Sequence, residues 1–186
     1  MNRAIVIVAV VAMVFSTAPA WSQAEVGRTC KIEGTWYGFN TFGEAYIITF
    51  NRTGGRTYTA VGQAPLAPAA FFSFIMGEFP GIQGELLRHG RNRFDSSWMA
   101  ISWVDPAYDF DADPYFGGAG CGSGWDLMAL EVWGPMTMPT CDTWTATFDA
   151  DFIVYSFGTD PLEDGCRMGN PFGLGEAFYH RVPRPH

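Results

Sequence analysis

Four aspartates crowd one stretch of the chain: Asp105, Asp109, Asp111 and Asp113. The last three alternate, the spacing by which a calcium loop turns several hard oxygens onto one cation. The rest of that loop is missing. Pro114 stands where the turn needs glycine, and Gly120 where a bidentate glutamate closes the site. The stretch reads as a solvated acidic loop, with no metal expected. The histidines are His89, His180 and His186, and no two lie at ligand spacing. His180 would serve as a general base if Asp126 or Glu131 faced it across an interior, making the chain an isomerase or lyase on an apolar substrate. No serine sits in a nucleophile elbow, since Gly122-Ser123-Gly124 lacks the spacing. No glycine loop is shaped to cradle a phosphate. The expectation is a chain without a catalytic constellation and without a cofactor.

The four cysteines, Cys30, Cys121, Cys141 and Cys166, include no Cys-x-x-Cys pair. That disfavours a redox motif or a zinc ribbon and leaves two disulfides, with three connectivities. If residues 144–157 form one strand, its far end returns toward the Cys121 loop. That favours Cys30 with Cys141 and Cys121 with Cys166.

Such staples require export, and the beginning of the chain supplies a signal for it. Arg3 precedes an apolar run at 4–15, and Ser22-Gln23-Ala24 fits a small-residue cleavage site. Residues 1–24 are expected to be a signal peptide. Residues 25–186 are then one exported, soluble domain, periplasmic or extracellular, without stable membrane insertion. The whole chain carries a formal charge of -8 from eleven basic and nineteen acidic residues. No basic stripe offsets this, which excludes nucleic acid and anionic membrane surfaces as partners.

The elements that must position these groups are short runs rich in β-branched and aromatic residues, separated by turn signals. Strands are expected at 34–40, 45–51, 56–63, 83–88, 93–104, 125–133, 142–148, 152–157 and 176–182. Thr53-Gly54-Gly55 and Gly90-Arg91-Asn92 make tight turns. Trp144, Ala146, Phe148, Ala150, Phe152 and Val154 keep an unbroken period of two. They form either one long strand or a hairpin turning at Asp149-Ala150-Asp151.

The spacing Ile32-x-Gly34-x-Trp36-Tyr37 resembles the first-strand motif of the lipocalins and their calycin relatives. The resemblance implies a closed antiparallel barrel that binds a small apolar molecule. It also implies that Trp36 packs at the closed end under a late arginine, here matched by Arg181.

Two connections exceed simple turns, and long loops in compact domains usually carry function. Residues 64–81 hold Phe71, Ile75 and Phe79 at helical i, i+4, i+8 spacing, a short greasy lid with Phe74 beside it. Residues 105–124 are the acidic loop. The strands between them carry large apolar side chains on both faces: Trp98 and Ala100 against Met99, Ile101 and Trp103. A half-exposed strand alternates apolar with polar. Two arrangements account for the surplus, an interior lined by aromatics and covered outside by loops or a second subunit, or a fully packed core.

The reading that follows is all-β: a single antiparallel barrel of eight or nine strands, calycin-like, with a short helical lid. Its expected ligand is a small apolar or amphipathic molecule. Trp98, Trp103 and Trp125 are the expected anchors, and Phe71, Phe74 and Ile75 the lid. The barrel isomerase or lyase is one alternative. The other is a cell-envelope interaction module meeting a protein partner or a second copy of the chain.

Overall fold

The computed structural model describes residues 28–41, 45–63 and 81–183. The proposed leader at 1–24 and the lid residues Phe71, Phe74 and Ile75 lie outside them. Nine strands run in chain order: β1 (Gly34–Asn40), β2 (Ala45–Arg52), β3 (Thr57–Gln63), β4 (Ile82–Arg88), β5 (Arg93–Trp103), β6 (Leu127–Thr140), β7 (Thr143–Tyr155), β8 (Cys166–Gly169) and β9 (Gly175–Arg181). A one-turn helix, α1 (Pro161–Asp164), precedes β8. Each of β1 to β7 pairs antiparallel with the next. β9 then pairs with both the first half of β7 and β1, closing an eight-stranded meander. The short β8 lies outside that circuit, against the second half of β7. Between Phe148 and Phe152, β7 is paired to neither β9 nor β8 on this edge, and residues 170–174 cross the gap.

Alternation decides which side chains enter. β5 reads exposed, buried, exposed along its whole length, so Phe94, Ser96, Trp98, Ala100 and Ser102 point inward. β7 is one strand of 13 residues, which settles the open choice at Asp149-Ala150-Asp151. The two strands expected at 142–148 and 152–157 are one, and the ninth strand is Cys166–Gly169, too short to show a pattern in sequence. β6 was expected to stop at Trp133, before Gly134-Pro135. It continues to Thr140 and keeps its register with β7 across Gly134-Pro135, from Trp133 opposite Asp149 to Met136 opposite Ala146, with a shift only between Thr137 and Thr140. A Cβ on Gly134 would lie 2.1 Å from the Thr147 carbonyl oxygen, so only glycine permits β7 to come so close.

The interior is apolar and splits into two clusters, with a third of Leu127, Ala129, Ile153 and Tyr155 packed apart from them. One fills the lower barrel with Trp36, Phe50, Phe94 and Trp144, and the other lies under the 105–124 loop with Phe110, Phe116, Met128 and Phe152. The outer face is mixed, carrying Glu85, Asp95, Glu131 and Asp151 beside exposed apolar side chains such as Ile47, Val61, Met99, Ile101 and Trp103. Among the described residues no helix is long and apolar enough to cross a membrane. Disulfides join Cys30 to Cys141 and Cys121 to Cys166, the expected pairing. Two such bonds belong to an oxidising, exported environment.

Candidate functional site: an aromatic-walled cavity

The barrel is plugged at the end where β1 begins. Trp36 is fully buried, and its indole N–H donates to the Ile32 carbonyl at 2.8 Å. The Arg181 guanidinium lies over the indole, 4.2 Å from the ring. Its remaining N–H groups donate to the carbonyls of Lys31, Glu33 and Cys141. One side chain thus ties the incoming segment, β1 and the β6–β7 turn together. Gly34 adopts φ +118°, a backbone open to glycine alone, and this lets the chain enter beneath the guanidinium. The Trp36–Arg181 pair has the arrangement implied by the lipocalin resemblance.

Toward the other end the packing loosens into a cavity of about 70 Å³. Trp98, Trp144, Phe148, Phe152 and Tyr179 supply its aromatic walls, and Ala146, Ala150 and Ala177 leave the space between them. Local rules fix these rings. A Cβ on Gly84 would meet the Trp98 ring at 2.3 Å, so the indole rests on the bare backbone of β4. Trp144 stacks on Tyr179, with centroids 4.1 Å apart and planes 2° from parallel, and meets the edge of Phe50. Phe172, from the segment crossing the β8–β9 gap, packs edge-on against Phe152 and Phe116.

Polar groups on the wall are few. Ser96 Oγ donates to the Gly134 carbonyl at 2.9 Å. Asn170 donates to Asp149 Oδ1 at 2.6 Å and to the Gly173 carbonyl, and accepts the Phe172 N–H. The Asn170 amide, helped by the Ala150 N–H, holds the Asp149 carboxyl below its usual range, so it stays ionised beside the wall. The indole N–H of Trp144 is buried and has no acceptor among the described residues.

Of the expected anchors, only Trp98 lines this cavity. Trp103 is corrected to the outer face: it is 63% exposed and stacks on Phe157, because odd positions of β5 point outward. Trp125 is also corrected. It precedes β6, its indole donates to the Cys121 carbonyl at 2.8 Å, and its half-buried ring packs against the 105–124 loop cluster. Sequence reasoning passed over Trp144, Phe148 and Tyr179. The period-two run at 144–154 contains the signal for the first two, since every second residue of it faces one side.

The interior acid–base pair is overturned. His180 points outward on β9, between Tyr37 of β1 and Thr143 of β7. Glu131 also faces outward, 3.5 Å from Arg167, which pairs more closely with Asp151. Asp126 accepts the Phe157 N–H at 2.7 Å.

In the acidic loop Asp105, Asp109 and Asp111 are exposed to solvent, as expected, and the departure is Asp113, which turns inward. Asp105 and Asp109 accept backbone N–H groups two residues ahead. Asp113 is buried and accepts from Tyr115 N, Phe116 N and the Tyr108 hydroxyl. Burial, then the contact with Asp113, pushes the Tyr108 phenol up to about 12. Among the described residues no three His, Cys, Asp or Glu side chains converge on a metal position.

No family model and no curated protein matches the chain. Among solved structures, a redesigned β-barrel is similar at 11% identity, over 84% of this chain and 99% of that one, with a TM-score of 0.43. A second, EF1p2_mFAP2b bound to DFHBI, is similar at 12% identity, over 81% of this chain and 93% of that one, with a TM-score of 0.40. Both are likenesses of barrel shape.

Proposed function

We propose that this chain is an exported binding protein that holds a small apolar molecule inside the barrel. The cavity between Trp98, Trp144 and Tyr179 carries this reading, since such walls reward any apolar body that displaces water. Its size narrows the class. About 70 Å³ is roughly half the cavity that accepts benzene, and well below the roughly 300 Å³ of a drug-sized pocket. The ligand is therefore a compact molecule of a few heavy atoms, or a single ring that the walls yield to admit, and not a long acyl chain.

Ala150→Leu tests this by placing a branched side chain in the space. Wild type should bind toluene at one saturable site by calorimetry, and the variant should not, with its circular dichroism unchanged. A variant that binds equally well would place the ligand elsewhere, and a wild type that takes up neither toluene nor the smaller xenon would refute the reading.

An interaction module is the second reading, and one observation favours it. On the outer face, the cross-strand ladders Phe178–Phe39–Ala45 and His180–Tyr37–Ile47–Gln63 contain no Asp, Glu, Lys or Arg. Tyr37 and Phe39 are each more than half exposed. A second copy of the chain is the occupant this face suits, because two chains of charge -8 repel least across an uncharged patch. Sedimentation of wild type and Phe39→Ser separates the readings: a dimer lost in the variant supports self-association, and a monomer at all concentrations removes it.

A further inference from the structure

The net charge of -8 conceals how the fold sorts its charges. Scattered along the sequence, the basic residues form no stripe. In the barrel they gather, because every second turn of a meander falls at the same end. Arg52 and Arg56 flank the β2–β3 turn, and Arg88, Arg91 and Arg93 the β4–β5 turn, while Arg28 and Lys31 lie on the segment entering β1. All stand with Arg181 at the end plugged by Trp36. Among the described residues, Arg167 is the one Lys or Arg elsewhere, and it pairs with Asp151 and Glu131.

Hydrogen bonds join these stretches into one face. The Arg88 backbone N–H donates to the Arg56 carbonyl, and its guanidinium to the Cys30 carbonyl. Asn92 accepts the Cys30 N–H and donates to the Arg28 carbonyl. The Cys30–Cys141 disulfide fixes the same segment to the β6–β7 turn. Opposing charge is sparse here. Asp142 pairs with Arg181, Asp95 with His89, Glu33 is half-buried, and Glu85 lies further up β4. None of Arg28, Lys31, Arg52, Arg56, Arg88, Arg91 or Arg93 has an ion-pair partner among the described residues. All of these but Arg88 are exposed.

Acids concentrate at the other end, with Asp105, Asp109 and Asp111 on the 105–124 loop and Asp160, Glu163 and Asp164 at α1. On β5, Arg93 and Trp103 are separated by about 33 Å of extended strand. The Debye length at physiological salt is only about 8 Å. An anionic surface that meets the plugged end therefore feels the local cations and not the charge of the whole.

We propose that the plugged end docks the protein electrostatically on an anionic lipid surface, without insertion and with the acidic end directed away. The expectation against such surfaces rested on the linear order of the charges, which the fold rearranges. Two observations favour lipid over nucleic acid. The rings under this face, Trp36, Tyr58 and Phe94, are buried beneath Arg88 and Arg181 and offer bases no platform for stacking. The cations also sit around one end of a barrel, mostly on turns, a layout that meets a plane and not a single strand.

Vesicle sedimentation of the protein with its disulfides intact tests this. Vesicles of about 30% phosphatidylglycerol in phosphatidylcholine should carry the protein down at about 0.05 M salt and release it at about 0.5 M. Vesicles of phosphatidylcholine alone should leave it in solution. Each cation near such a surface is worth about fivefold in affinity, so Arg91→Glu with Arg93→Glu should weaken binding by about tenfold or more. Lys31→Glu with Arg56→Glu should do the same, and serves if the first pair fails to fold. Glu163→Gln with Asp164→Asn alters only the far end and should leave binding unchanged. Protein that stays in solution with the anionic vesicles at low salt would overturn the proposal. So would equal binding to neutral vesicles, or undiminished binding by the charge-reversed variants. Retention on heparin without vesicle binding would overturn the lipid assignment in favour of a soluble polyanion.

Discussion

At the scale of single residues, Arg181 holds the closed end through one guanidinium that meets an aromatic face and three backbone carbonyls. Arg181→Met keeps most of the aliphatic bulk, loses the cation over Trp36 and leaves those carbonyls without their donor. Denaturant unfolding should show a loss of about 2–4 kcal/mol, from the desolvated cation–π contact and the orphaned acceptors. A loss under about 0.5 kcal/mol would mean that Trp36 is held by packing alone. Tyr108 gives a second test. Its folded pKa, about 12, lies above the ordinary 10.0, so the neutral phenol is the form the fold favours. The stability this contributes is intact below pH 10 and is lost as pH rises toward 12. Near-ultraviolet titration of wild type against Tyr108→Phe should show the missing tyrosine at the alkaline end of the curve. A missing tyrosine near pH 10 would contradict its burial against Asp113.

The elements divide into a closed plug and a roof. The roof comprises the 105–124 loop, β8 and residues 170–174, and the Cys121–Cys166 disulfide joins the loop to β8. Replacing both cysteines by serine should cost about 2–4 kcal/mol, chiefly by releasing the unfolded chain. Protease nicking should then appear first within 105–124; nicking confined to the barrel turns would show that the loop is held without the bond. Phe172, with Asn170, is a roof residue that reaches the cavity. Phe172→Ala should enlarge the space and shift affinity from single-ring toward two-ring ligands. An unchanged size preference would show that the ring does not bound the site.

These scales also explain what the sequence disclosed. Strands β1 to β5 were legible almost to the residue, because alternation and glycine turns are local signals. The barrel's closure rests on β9 meeting both β1 and half of β7, a long-range pairing that no local pattern announces. β8 has four residues and stayed invisible. The strand expected to end at Trp133 runs on through Gly134, where the bare backbone gives steric relief against Thr147. Among the anchors, composition singled out tryptophans but parity decides which enter. Trp98 and Trp103 are five positions apart, an odd number, so one must face out. Asn170 and Phe172 reach the cavity only because the β8–β9 gap is filled by their segment. That follows from topology and lies beyond any periodicity.

At the scale of the whole molecule, the barrel is plugged at one end and its aromatic walls stop short of meeting further along. The charges on its outside and the plug at Trp36 direct attention to the small space beside Trp98 and Trp144. Xenon probes that space directly, because it enters dry apolar cavities of this size and needs no particular chemistry. A crystal pressurised with xenon should show one well-occupied site inside the barrel between Trp98, Phe148 and Tyr179, absent in Ala150→Leu. Xenon found only on the surface, with ordered water or side chains filling the interior, would contradict the account.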